Sequence, residues 1–414
     1  MAKKNKLPFE GIRIVDVSMF WAGPYTTSYL GALGAEVIKI ESIQRPDTYR
    51  FGSIVCDLYW ELCAMWNCAN TNKYGITLDL TNPRGIELFK ELVKVSDIVI
   101  DNFPPRVMKN FGLTYDVLKQ IKPDIIVASL PGYGLTGPWS DYIGFGLAFE
   151  QGSGVSYITG YKDGFPLQLG GAADPIAGMH AAFAIQAALE YRRKTGKGQL
   201  IDVSQTEVLT NFMGPAVIDY SLNKRIWERM GNQDPAMAPH GVFPCKEADS
   251  WVAIAVASDD EWKAFCKAIG KPGLADDEKF ATVNERWKNQ EELNNIIGEW
   301  TKQYMPYEAM EILQKAGIAA GTVNPPDVLL DEPQLQNRAY FYELDRDIIG
   351  KQRYYGFPVK FSETKMKMRP APKLGEHNNY VLSKILKLSK EEIEELEKNK
   401  IIGNYPLAMG SMGV

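Results

Sequence analysis

From Gly11 to Ser129, short apolar runs bounded by turn residues alternate with longer segments of helical period, and this alternation restricts the fold more than any other feature of the chain. The pattern reads as a strand over Ile12–Val17, a turn at Trp21-Ala22-Gly23-Pro24, a helix from about Tyr25 to Leu33, and a strand over Glu36–Ile40. It continues with a strand at Ile76–Leu80, a helix from Pro83 to about Val95, and strands at Asp97–Ile100 and Ile125–Ser129. Strands separated by helices predict an α/β fold: a doubly wound, mostly parallel sheet with helices on both faces. A chain of 414 residues exceeds the roughly 250–300 residues that one core serves, so a second, smaller α+β domain is expected. Shifts in composition place the large domain at 1–224, the small one at 225–324, and a return segment packing on the large domain at 325–414. Short strands are expected in that return segment near Phe341–Leu344 and Val359–Phe361.

Composition excludes several partners. A net charge of -5 gives no basic excess to hold nucleic acid or an anionic membrane. The basic start Met-Ala-Lys-Lys-Asn-Lys is not followed by an apolar run, and no stretch approaches the ~18 apolar residues of a membrane span. Five cysteines without a C-x-x-C pair suit a reducing cytoplasm, and Cys63 and Cys68 are expected to pack.

The first βα turn carries only Gly23 where a dinucleotide fold wants three spaced glycines, so a nicotinamide site is not indicated. Gly132 to Gly170 punctuate a long loop, a composition shared by functional loops and by wandering surface connections. It delivers Asp174 to the head of the apolar helix Ile176–Tyr191. Asp followed by Pro175 reads as an ordinary N-cap with proline at the first helical position. The helix is apolar on nearly every side, which predicts burial, and a carboxylate at a buried helix N-terminus is favoured in its ionised, nucleophilic form by the dipole. His180 lies roughly 240° around that helix from Asp174 and reads as a core histidine. His240 and His377 have no partner at ligand spacing, so neither a metal site nor a histidine-based triad is expected. Lys73, Arg84, Arg106 and Lys109 stand beyond expected strand ends, where a doubly wound sheet keeps its ligand crevice; each taken singly also reads as a solvated charge. With Asn102 and Phe103 they suit a nucleotide-bearing carrier, while Tyr59, Trp60 and Trp66 read as core.

Taken in order, several stretches resemble the class III coenzyme A transferases, which include formyl-CoA and carnitine CoA transferases. They are Gly11-Ile12-Arg13-Ile14-Val15-Asp16, Ala22-Gly23-Pro24, Leu33 through Glu41, and Asn72-Lys73. Asp101-Asn102-Phe103, Gly132-Tyr133-Gly134, Thr136-Gly137-Pro138, the Asp174 stretch, Arg193 through Gln199, and Leu374-Gly375-Glu376-His377 complete the set. The resemblance implies that Asp174 is the nucleophile of a ping-pong transfer through a mixed anhydride and an aspartyl-CoA thioester. It implies CoA thioesters as substrates, no tightly bound cofactor, and an interlocked homodimer. By position, Lys73, Asn102 and Phe103 fall where relatives contact CoA, and Arg106 one loop position beyond; Gly170 and Gly171 suit oxyanion donors.

Two departures stand out. Trp21 replaces the glutamine of the formyl-CoA enzyme before Ala-Gly-Pro, marking a different acyl pocket, and that enzyme's glycine-rich lid has no obvious counterpart. Phe145-Gly146 occupies the place of the proton-transferring histidine and aspartate of α-methylacyl-CoA racemases, which weighs against racemisation. A non-catalytic CoA-binding subunit of a hetero-oligomer with a paralogous chain is the non-enzymatic alternative. Trp21 and the aromatic stretch through Trp66 point to an aromatic acid acceptor, with succinyl-CoA as donor as in the benzylsuccinate and phenyllactate relatives; core packing is the other reading of those rings.

Overall fold

The computed structural model describes residues 7–51 and 56–407. The basic start noted above lies outside them. The large unit comprises the described residues up to Ser156, Gln168–Arg225, and those from Ala339 onward. Its sheet is built from β1 (Arg13–Asp16), β2 (Glu36–Glu41), β3 (Lys73–Thr77), β4 (Ile98–Asp101), β5 (Ile126–Ser129) and β6 (Leu200–Asp202). All pairs are parallel and the order is β3-β2-β1-β4-β5-β6, so the topology reverses between β1 and β4. In a sheet of this kind the crevice beyond the strand ends at the reversal is where ligands bind.

The helices that matter for the site are α1 (Ala22–Ala32), α2 (Pro83–Lys94), α3 (Pro105–Asn110), α4 (Gly146–Gly152), α5 (Ala173–Thr195), α6 (Gln205–Thr210) and α7 (Gly214–Asn223). On one face of the sheet Val15, Ile38, Val99 and Val127 pack with Leu88, Phe89 and Leu92 of α2. On the other, Ile14, Val37, Ile100 and Ala128 pack with Leu30 of α1 and Ala177, Ala181 and Ile185 of α5. α1 and α5 approach closely because Gly178 has no side chain: a Cβ there would lie 2.7 Å from the Ala22 carbonyl oxygen.

β3 starts at Lys73, earlier than the expected Ile76–Leu80. Its first residue is a buried lysine, which an apolar-run reading excludes. In the return segment β10 (Phe341–Arg346) pairs antiparallel with β11 (Gly350–Tyr355), whereas Val359–Phe361 is not a strand. The partner of β10 is thus its own hairpin neighbour, with Gly350, the first residue of β11, at φ 67 directly after the turn.

The small unit comprises Tyr157–Leu167 and Ile226–Arg338, and so differs from the expected 225–324. The detached stretch joins it through hydrogen bonds: the Gly231 N–H donates to the Gly160 carbonyl at 2.8 Å, and the Arg229 guanidinium donates to the Tyr157 carbonyl at 3.0 Å. Its antiparallel sheet, β7 (His240–Pro244), β8 (Trp251–Ala255) and β9 (Ala319–Val323), covers a core around Trp262, Phe265, Leu293 and Ile297. Among the described residues no helix is long and apolar enough to cross a membrane.

Candidate active site

The chain leaves β1 into the crevice through Ser18, Met19 and Phe20 before α1 begins. Asn102, just beyond β4, grips Met19 with both amide atoms: the Met19 N–H donates to Asn102 Oδ1 at 2.8 Å, and Asn102 Nδ2 donates to the Met19 carbonyl at 2.7 Å. Phe20 sits at φ 62, an unfavourable region for a bulky residue. It is held there because its N–H donates to both oxygens of Asp47, at 3.1 and 3.2 Å. The next residue, Trp21, then comes to rest against Gly171, where a Cβ would be 3.8 Å from the indole Cζ3.

Asp174 follows Gly171 by three residues, and its N–H donates to the Gly171 carbonyl at 3.2 Å. The N-cap of α5 is Ala172 and no side chain caps the helix, so Asp174 stands in the first turn and does not act as the expected cap. Burial first, and the Glu150 carboxylate second, push its carboxyl up to about 7. The shift runs opposite to the lowering expected from the helix N-terminus, because burial disfavours the charged form. Gly146, the first residue of α4, lies alongside: a Cβ on it would be 3.1 Å from Asp174 Oδ2 and 3.2 Å from the Gly171 Cα. The Phe145 ring packs on Phe20 at 4.9 Å, and Phe20 on Tyr49 at 5.5 Å. Burial, Asp174 and Asp47 all raise the Tyr49 phenol. Gly170 and Gly171 stand at φ 75 and 89, conformations that an L side chain rarely adopts. Replacing Gly146 with alanine is expected to lower kcat about 10- to 100-fold while leaving the circular dichroism spectrum and melting midpoint nearly unchanged, because the new methyl displaces the carboxylate from its working position. Wild-type kcat in Gly146→Ala would show that this contact is not critical.

The other predicted residues fall in different places. Phe103 is half-buried on the sheet core, and its N–H donates to Asp101 Oδ1 at 3.2 Å. Arg106, in the first turn of α3, is half-buried and donates to the Asp141 carbonyl, tying α3 to the glycine-dense segment. Lys73 does not present a free cation to the crevice. Its ammonium is buried with three acceptors: Asp16 Oδ2 at 3.1 Å, the Pro24 carbonyl at 2.9 Å and Asn70 Oδ1 at 2.9 Å. Burial alone would raise the Asp16 carboxyl, but Lys73, then Lys39, and hydrogen bonds from Ser18 and Thr27 bring it down to about 2. Lys39 also pairs with Asp47 at 3.4 Å, and Arg50 links Glu41 at 2.8 Å to Glu61 at 3.1 Å. A buried ion-pair network thus stands behind the Phe20 loop. Trp66 belongs to it rather than to a pocket: Arg50 lies 3.5 Å over its ring and its Nε1 donates to the Pro372 carbonyl.

The α5 helix is buried on one side only. Met179, His180 and Phe183 are exposed, Phe183 by 74%, so His180 is not a core histidine; its Nδ1 lies 2.9 Å from the Ile176 carbonyl oxygen of its own helix. Phe20, Asp47, Tyr49 and Glu150 escape the sequence reading. Asp47 had only the Pro46-Asp47 turn to mark it, and Glu150 is on a helix hidden within glycine-dense sequence.

A half-buried carboxylate with a raised pKa and glycines packed against it make Asp174 the candidate reactive group of the large unit. Residues 9–378 match CoA-transferase family III, and the chain belongs to that family. It is 32% identical, over 92% of its length and 96% of the other chain, to a succinate–glutarate CoA-transferase of Agrobacterium fabrum. It is 33% identical, over 96% and 94%, to the α subunit of a succinyl-CoA–L-malate CoA-transferase of Chloroflexus aurantiacus. A solved CaiB/BaiF family protein from Brucella suis superposes with a TM-score of 0.83 at 30% identity, covering 92% of this chain and all of that one.

Proposed function

We propose that this transferase moves CoA from succinyl-CoA to a free carboxylic acid through covalent intermediates on Asp174. The observation that carries the proposal is that carboxylate itself, basic enough to be a good nucleophile and packed among glycines that admit a thioester. It attacks the thioester carbonyl, the C–S bond breaks, and CoA leaves as a thiolate while Asp174 and the succinyl group remain joined as a mixed anhydride. The thiolate attacks the aspartyl carbonyl, succinate departs, and an aspartyl-CoA thioester remains. The acceptor carboxylate then attacks that thioester, and the released thiolate takes the acceptor's acyl group, freeing Asp174. Every bond is exchanged rather than hydrolysed, so no ATP and no bound cofactor are required. Gly170 and Gly171 act as oxyanion donors, a role supported by their glycine-only backbone. Phe103 and Arg106 contact CoA directly; Asn102 and Lys73 act through the loop and strands that they hold.

The names of the relatives support a short aliphatic dicarboxylic acid as acceptor. An aromatic acid such as benzylsuccinate is the second reading, favoured by Trp21, whose buried Nε1 has no hydrogen-bond partner among the described residues, and by the Phe20 and Phe145 rings. Phe145 and Gly146 carry no titratable group beside Asp174, which counts against racemase chemistry. The working form is a cytoplasmic interlocked homodimer, or a hetero-oligomer with a paralogous chain as in the relative named an α subunit. The exposed apolar faces of α5 and α7 support it: α7 buries only Asp219, and its Leu222 is 76% exposed.

With succinyl-CoA as donor, CoA transfer to glutarate or L-malate, followed by liquid chromatography, is expected to exceed transfer to benzylsuccinate at least about tenfold. The reverse order would select the aromatic reading, and no transfer to any acid would refute both. Because only the carboxylate attacks, kcat/KM is expected to fall one-for-one with protonation below about pH 7. A flat profile from pH 5 to 8 would contradict this.

A further inference from the structure

One buried carboxylate beside Asp174 has no part in the cycle above. Glu150 is fully buried and stands four residues after Gly146 on α4, so the two share a helix face. That face is the one turned to Asp174, since the Cβ position of Gly146 is 3.1 Å from Asp174 Oδ2. Glu150 Oε2 accepts the Leu169 N–H at 2.8 Å. Its Oε1 is buried with no hydrogen-bond partner among the described residues. A buried acceptor left unpaired is uncommon enough to require an explanation.

We propose that Glu150 is a positioning residue for the transfer: through the Leu169 amide it holds the Gly170–Gly171 approach in place, and its charge acts on Asp174 from the same helix face. This rests on Asp174 being the nucleophile. Leu169 immediately precedes the two glycines, and Gly171 in turn accepts the Asp174 N–H at 3.2 Å, so the Glu150 bond fixes one end of the segment whose other end is the reactive residue. The titratable groups coupled to Asp174 are Glu150 on α4 and the Tyr49 phenol in the turn after β2; Asp47, behind Tyr49, is paired with Lys39. After burial, Glu150 is what raises the Asp174 carboxyl. A more basic carboxylate attacks a thioester carbonyl faster and is the poorer leaving group from its anhydride, which favours thiolate attack at the aspartyl carbonyl, expelling succinate, over return attack at the succinyl carbonyl.

Two conservative variants each keep one half of this role. Glu150→Gln keeps an oxygen for the Leu169 amide and loses the charge; Glu150→Asp keeps the charge and draws the oxygen back from Leu169. In Glu150→Gln the acid limb of kcat/KM is expected to move down by about one pH unit or more, with kcat at the plateau within about tenfold of wild type. In Glu150→Asp the limb is expected to stay near pH 7 while kcat falls about 10- to 100-fold. A limb unmoved in Glu150→Gln overturns the proposal, and so does a limb displaced in Glu150→Asp. Should either variant fail to fold, the prediction for the other stands alone. Hydroxylamine trapping and peptide mass spectrometry on wild type separate the two levels: an adduct on Asp174 with an unmoved limb overturns the Glu150 role alone, whereas an adduct elsewhere overturns the nucleophile assignment.

Discussion

Replacing Asp174 with alanine is expected to lower CoA exchange by at least about 10³-fold and to abolish the covalent adduct, while the protein stays folded. The carboxylate does not cap α5, because the cap position is Ala172, so the helix loses no terminal bond with it. The charge is also unfavourable in the folded protein. Its carboxyl stands at about 7, above the usual carboxylate range near 4, so the folded chain holds this proton more tightly than the unfolded one. Stability from this group is therefore complete below about pH 4 and is lost as pH rises through 7. At pH 8 the melting midpoint of Asp174→Ala should be no lower than that of wild type. The decisive measurement is exchange of isotopically labelled succinate into succinyl-CoA, with hydroxylamine trapping alongside. Undiminished exchange by the variant would remove Asp174 from the mechanism.

Lys73→Met is expected to act through stability rather than through substrate binding. It leaves Asp16 fully buried with its nearest cation gone and only Lys39, at 3.9 Å, to compensate. Breaking one side of a buried pair costs about 3–5 kcal/mol, and the second lysine places this case toward the lower end. Urea unfolding should show the loss, and Asp16→Asn added to Lys73→Met should recover part of it. Where the variant remains folded, KM for succinyl-CoA should change little. A variant of wild-type stability with a sharply raised KM would instead make Lys73 a direct CoA contact. Asp16, held at about 2, adds a pH signature: its stabilising contribution is present above the usual carboxylate pKa and is lost as pH falls toward 2.

Much of the large unit is legible in the residues because strand and helix periods are local. The β1–α1–β2 start, α2, β4 and β5 follow apolar runs and helix signals a few residues long, and all are present. Legibility ends where a polar residue is buried. β3 begins with an ammonium whose carboxylate partner is 57 positions away, and no period in the neighbouring sequence announces it. Glu61 pairs with Arg346, 285 positions on, as well as with Arg50. The apolar α5 invited full burial, yet the described chain leaves Met179 and Phe183 uncovered, because hydrophobic pattern reports what a helix would bury and not what covers it.

The residues alone determined the parallel α/β architecture, since strand and helix periods rest on near neighbours. Locally they read Asp174 as an ordinary helix cap, and the family resemblance is what marks it as the acid to suspect. Only the tertiary structure decided what that acid is chemically. Its loss of water, the Glu150 carboxylate on a separate helix, and the Trp21 and Gly146 contacts arise from segments far apart in sequence. Desolvation and through-space charge depend on distance in space, which local sequence does not record.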